Sequence, residues 1–177
     1  HYLPSGLNSR TPKNNYSIAL SLSDKLDTLV GFFGLDLIPT SSKDPYALRR
    51  ITIGLIKLII ENKKSFKLKE LIDYSCQLYN NQSINFDRKS IHTNLSVFII
   101  DRLKNFMKEK GIRQDIIESS LINFDLNNIF VIFTKADRLN KVIKKQVGID
   151  LFENYKRAFN ILNSENQQQN QDYKGSA

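Results

Sequence analysis

The sequence predicts an all-α protein, an antiparallel helical array of about seven helices. Three observations carry this reading. Apolar residues recur at spacings of three and four through most of the 177 residues. Only seven glycines and four prolines interrupt them, which favours long helices. The polar faces are mixed in charge and the intervening loops are short, as in helices packed against their sequence neighbours.

The elements follow in order. Residues 1–15 are rich in Ser, Asn, Pro and Gly and read as an irregular lead-in. A first helix is predicted over 16–33, with Ile18, Ala19, Leu22, Leu26, Leu29, Val30 and Phe33 as its buried stripe and Asp24, Lys25 and Asp27 on other faces. Gly31 and Gly34 are read as its end. A loop over 34–43 leads to a second helix over 45–62. Here Asp44 is placed to cap backbone N–H groups and Pro45 fits a first helical turn. Leu48, Ile51, Leu55, Leu58 and Ile59 form its stripe, widened by Ile53, Ile56 and Ile60, so this helix is expected to be buried on most sides.

A third helix over 67–80 would bury Leu68, Leu71, Ile72, Ser75 and Leu78. A fourth over 88–110 would bury Ile91, Leu95, Phe98, Ile99, Leu103 and Phe106 and stop at Gly111. A short fifth helix is predicted over 114–122. A sixth over 127–146 is built on Ile129, Ile132, Phe133, Ala136, Leu139 and Ile143. A seventh over 149–162 is built on Leu151, Phe152, Tyr155, Ala158, Phe159 and Leu162. Residues 164–177, with Gln167, Gln168, Gln169, Asn170 and Gln171, read as a disordered tail or linker.

Composition excludes several classes. The single Cys76 forbids an intrachain disulfide and fits a reducing cytoplasm. One Cys and two distant His residues, His1 and His92, do not supply a zinc site with ordinary ligand spacing. No phosphate-binding glycine loop or dinucleotide fingerprint is present. The apolar run over 51–60 is too short and too basic at its ends to span a membrane. The chain has neither an initiator Met nor a secretory signal, and it reads as an excised fragment. No catalytic residue and no metal ligand set is assigned.

Charge is more informative. The net charge is +8, and residues 43–70 alone hold eight basic and three acidic side chains. Such concentration favours a polyanion partner, with a solvated surface as the competing reading. Lys43, Arg49 and Arg50 crowd the start of the second helix, where the backbone dipole favours negative charge, so an anion such as phosphate is expected there. Adjacent helical residues point about 100° apart, so one arginine is expected to be structural and the other to face RNA. Lys141, Lys144 and Lys145 with Lys156 and Arg157 form a second candidate patch. Asp24 and Asp27 are neighbours on a helix surface, suited to pairing with a cation or a backbone N–H; with Asp44 and Pro45 they are read as structural.

A resemblance adds to this. D-K-L-D-T-L-V-G-F-F at 24–33 and P-T-S-S-K-D-P-Y-A-L-R-R at 39–50 resemble the signature of the β subunit of bacterial glycyl-tRNA synthetases, the form built from separate α and β subunits. His1-Tyr2-Leu3-Pro4 resembles the family's E-H-Y-L-P, residues 98–104 fit its F-I-I-D-R-L-K, and residues 155–162 resemble its K-R-V-x-N-I-L. Ser41 stands where the family pattern has Gly. The resemblance implies that residues 1–44 end an HD-like domain and its connecting loop, with a helical body over 45–163. It also implies a cytoplasmic ligase holoenzyme that uses ATP and Mg²⁺, with the α subunit and glycine tRNA as partners and adenylate chemistry on α. This fragment would hold no cofactor and have no ligase activity alone. It would contribute scaffold and tRNA backbone contacts.

Two other readings stand beside it. Leu22-Ser23-Asp24-Lys25-Leu26 is similar to the L-A-D-R-L of HD-type phosphohydrolases, which would make Asp24 a metal ligand. Alternatively, the chain is a non-catalytic helical interaction scaffold whose basic surface only solubilises it.

Overall fold

The computed structural model describes residues 3–40 and 43–172, with side chains described as far as residue 162. Among these residues it is all α, with no strand. The helices are α1 (Asn15–Gly34), α2 (Leu48–Glu61), α3 (Leu68–Asn81), α4 (Arg88–Glu109), α5 (Gln114–Ser120), α6 (Ile129–Ile143) and α7 (Gln146–Asp172), with a single 3-10 turn at Leu126–Asn128. The chain divides into two compact units, His1–Ala136 and Asp137–Ala177. The first takes in both the segment 1–44 and α2 to α5.

In that unit α1 packs against α2, α3 and α4. Its Ile18, Leu22, Leu26, Leu29, Val30 and Phe33 are buried, and each such side chain contributes about 1.5–3 kcal/mol when removed from water. Ala19, expected with them, is exposed. Asn14 starts the helix by accepting the Tyr16 N–H at 2.8 Å. The two glycines do not end it early: Gly31 lies inside α1 and Gly34 is its last residue. Their role is close approach. A Cβ on Gly31 would lie 2.6 Å from the Tyr79 hydroxyl, and one on Gly34 would lie 2.6 Å from the Phe86 ring.

The α4 stripe of Ile91, Leu95, Phe98, Ile99, Leu103 and Phe106 is buried throughout, with the Phe98 ring edge-on to Phe33 at 5.2 Å. Gly111 follows α4 at φ 74°, a left-handed turn that suits glycine. The inner face of α3 is Leu68, Ile72, Ser75 and Cys76. Leu78, expected on it, is 42% exposed.

The start of α2 differs from the sequence reading. Asp44 to Ala47 closes a turn through the Ala47 N–H and the Asp44 carbonyl at 3.2 Å, and the helix opens only at Leu48. Pro45 therefore lies in that turn and not in the first helical turn. Ala47 takes a left-handed backbone at φ 55° just before the helix.

In the second unit a tight connection separates α6 from α7. The Lys145 N–H donates to the Val142 carbonyl at 2.9 Å, so the expected helix over 127–146 stops at Ile143. Helix α7 runs through residues 164–172, where the sequence reads as a tail. Glutamine is a good helix former, and no proline stops the run. The apolar stripe of α7 is uncovered: Leu151 is 67% exposed and Phe152 still 48%. Periodicity identifies an amphipathic helix, and among the described residues of its own unit nothing buries that face.

Candidate functional site

The surface around the start of α2 is built in two layers. The lower layer is one face of α2, on which Arg50, Gly54, Lys57 and Glu61 follow one another at helical spacing. The upper layer is an irregular strap, residues 3–14, laid along that face.

From Leu3 to Thr11 the strap is fastened at intervals, first to α1 and then along α2. The Leu3 carbonyl accepts from the Ser21 hydroxyl and from the Lys25 ammonium, the latter at 3.4 Å. The carbonyl of Pro4 passes so close to Gly54 that a Cβ there would lie 2.4 Å away. Gly6 lies beside the stem of Arg50. The Lys57 ammonium donates to the carbonyls of Leu7 and Ser9. Thr11 donates to the Glu61 carboxylate at 2.7 Å, and Glu61 also pairs with Lys57 at 3.5 Å.

Two buried lysines therefore fasten the strap. Lys25 is only 4% exposed and Lys57 only 6%. This corrects the placement of Lys25 on an outer face of the first helix. A buried ammonium must be satisfied by acceptors, and backbone carbonyls of the strap supply them. Burial also lowers the Lys25 pKa, partly opposed by the charge of Asp24.

The candidate residues fall into separate roles. Asp44 accepts the N–H groups of Leu48 at 2.8 Å and Arg49 at 3.0 Å, so the negative charge that the start of α2 favours is supplied from within the chain. Arg49 donates to the Thr40 carbonyl and fixes the loop before α2. Arg50 is exposed and makes no hydrogen bond or ion pair with the described residues, and Lys43 is exposed beside the turn. Ser41 lies outside the described residues.

Asp27 ties α1 to α3: its carboxylate accepts from Ser75 at 3.4 Å and its carbonyl from Tyr79 at 3.3 Å. Asp24 is exposed, on the rim of an apolar groove of about 750 Å³ between α1 and α3 that is lined by Leu20, Leu71, Tyr74 and Leu78. Among the described residues no three His, Cys, Asp or Glu side chains gather where a metal ion could be held. His92 Nε2 lies 2.9 Å from Asp73 Oδ1, an ordinary bond between α4 and α3. Lys156 and Arg157 are exposed on α7, in the second unit.

Lys25 and Lys57 escaped the sequence reading because a lysine within an apolar helix resembles a surface residue. Gly54 was the available signal. A glycine inside a helix marks a place where another backbone comes close.

Residues 1–122 match the family model of the glycyl-tRNA synthetase beta subunit. The chain belongs to this family. It is 40% identical over 168 residues to the glycine–tRNA ligase beta subunit of Rickettsia bellii, covering 94% of this chain and 23% of that protein. It is 33% identical over 157 residues to that of Clostridioides difficile, covering 89% of this chain and 22% of the relative. It is 34% identical over 175 residues to that of Rhodospirillum centenum, covering 99% and 24%. The chain thus spans about a quarter of the length of these relatives. The family model takes in the strap and α1 to α5, hence Lys43, Arg49 and Arg50; Lys156 and Arg157 lie beyond it. Among the described residues no helix is long and apolar enough to cross a membrane.

Proposed function

We propose that this chain is a helical portion of the beta subunit of a two-subunit glycine–tRNA ligase, and that it provides scaffold and contacts to the tRNA backbone. Family membership supports the setting. In that setting the holoenzyme joins glycine to its tRNA with ATP and Mg²⁺, the α subunit carries the adenylate chemistry, and this portion is inactive alone. The observation that carries the RNA-facing part is Arg50. It is exposed and pairs with none of the described residues, while its neighbour Arg49 is committed to Thr40. It also stands in the stretch 43–70, which carries most of the net positive charge. An arginine free of internal partners suits bidentate phosphate binding. Lys43 adds a second phosphate donor, and Lys156 with Arg157 a separate patch on α7.

The test is binding of glycine tRNA and of a non-cognate tRNA to the chain across a salt series, with Arg49→Ala and Arg50→Ala alongside. Affinity should fall steeply with salt, and Arg50→Ala should lower the slope of log affinity against log salt by about one. No binding of either tRNA at low salt would refute the RNA-facing role. Equal affinity for both would place discrimination elsewhere in the enzyme.

A further inference from the structure

The geometry points to the strap as part of the phosphate-binding surface: Lys57 lashes it along α2 so that Arg10 and Lys13 extend the line begun by Arg50, and this line takes the phosphate backbone of RNA. The inference rests on the RNA-facing reading above and names further residues for it.

Register fixes the path of the strap. Gly6 lies beside Arg50, the Leu7 and Ser9 carbonyls sit over Lys57, and Thr11 reaches Glu61. The strap from Gly6 to Thr11 therefore travels in the same direction as α2 from Arg50 to Glu61, a distance of about 17 Å at 1.5 Å per residue. Thr11 turns its side chain down to Glu61, while its neighbour Arg10 is exposed. Lys13, the next basic residue of the strap, is exposed as well. Neither makes a hydrogen bond or ion pair with the described residues.

Charge balance completes the case. Two carboxylates on the segments that form this line are already used. Glu61 is bound by Thr11 and Lys57, and Asp44 by the N–H groups of α2. Among the described residues Arg10, Lys13 and Arg50 have no counterion, so phosphates can neutralise them. No aromatic side chain of the strap offers a surface for base stacking, which favours contacts to phosphates over contacts to bases. Lys57 touches no ligand in this scheme. It is a positioning residue, because it holds the segment that carries two of the three cations.

The experiment measures binding of a glycine tRNA transcript to the chain between low and moderate salt. The variants are Arg10→Gln with Lys13→Gln, Arg50→Gln, Lys57→Met, and a control pair of exposed α4 residues, Lys89→Gln with Lys108→Gln. Removing Arg10 and Lys13 should lower the salt slope by about two and weaken binding roughly tenfold or more at fixed salt. The control pair should leave the slope unchanged. Lys57→Met should reproduce the loss seen for the strap pair while trypsin gains access after Arg10.

A slope unchanged by the strap pair but lowered by Arg50→Gln overturns this inference and leaves the Arg50 reading intact. Equal losses from the strap and control pairs mean non-specific attraction and also overturn it. No binding by the unmodified chain overturns both. Should Lys57→Met fail to fold, the strap pair still decides, since both its residues are exposed.

Discussion

The guanidinium of Arg49 donates to the carbonyl oxygen of Thr40, nine residues earlier in the chain. This bond closes the loop before α2, and its neighbour Arg50 takes no part in it. Arg49→Ala should therefore cost about 1 kcal/mol in urea denaturation, a charge-assisted bond discounted for partial exposure. Arg50→Ala should stay within about 0.5 kcal/mol of the parent. Equal destabilisation by the two variants would contradict this division of roles.

Gly54 sets how closely the strap can lie. A Cβ there would meet the Pro4 carbonyl at 2.4 Å and the Lys25 side chain at 2.9 Å. Gly54→Ala should destabilise the protein by about 1–3 kcal/mol, the usual cost of overpacking. It should also speed tryptic cleavage after Arg10. A Gly54→Ala protein as stable and as protected as the parent would show that the strap does not bear on α2.

Lys25 gives a stability signal with a definite sign. Burial lowers its pKa below the ordinary 10.5, so the native protein sheds this proton before the unfolded chain does. The unfolded chain then binds more protons, and stability rises with pH between the lowered value and 10.5. Tyr79 acts oppositely. Burial, and then Asp27, raise it above 10.0, so its contribution is complete below 10.0 and is lost as pH climbs through the raised value. Lys25→Met removes the first effect and keeps the second. The stability of the parent relative to Lys25→Met should grow as pH approaches 10.5, as read from denaturation midpoints. A pH-independent difference would show that this ammonium does not titrate early.

Asp125 caps the 3-10 turn through the Asn127 N–H at 2.8 Å and meets Lys69 at 2.7 Å. The Lys69 bond, followed by the Asn127 N–H, holds the carboxyl below its ordinary 3.8. Its stabilisation is present above 3.8 and disappears as pH falls through the lowered value. Asp125→Asn keeps a capping oxygen and should cost under about 1 kcal/mol, because the ion pair is largely exposed. Asp125→Ala should cost about 1–2 kcal/mol. Both should abolish this acid-side dependence. If Asn proved as damaging as Ala, the ion pair and not the cap would dominate.

Much of the fold was legible in the sequence, and each failure has a physical cause. The stripes of α1 and α4 are nearly all buried as periodicity predicts, because burial there depends on the helix's own pattern. Leu78 on α3 and the apolar face of α7 carry the same signal and remain exposed, because a stripe does not say what covers it. Pro45 misplaced the start of α2 because proline suits both a first helical turn and a turn that precedes one. For the candidate site, different directions for Arg49 and Arg50 followed from helical geometry, but the carbonyl of Thr40 that Arg49 chose did not. The lysine-fastened strap was the least visible part. Its bonds run to carbonyl groups, which every residue has, and so leave no mark in the residue types.

The strap also fixes an order of assembly. Leu3 and Leu7 are synthesised before their anchors Lys25 and Lys57, which lie 22 and 50 residues later. The earliest-made part of this segment is thus fastened only after the α1 and α2 backbones exist, and closing loops of that length carries an entropic cost that local helix formation does not. Until then both ammonium groups stay hydrated at the mouth of an unfinished core. In reverse, the strap is the natural first piece to peel away, giving the lysines back to water while α1, α3 and α4 stay packed.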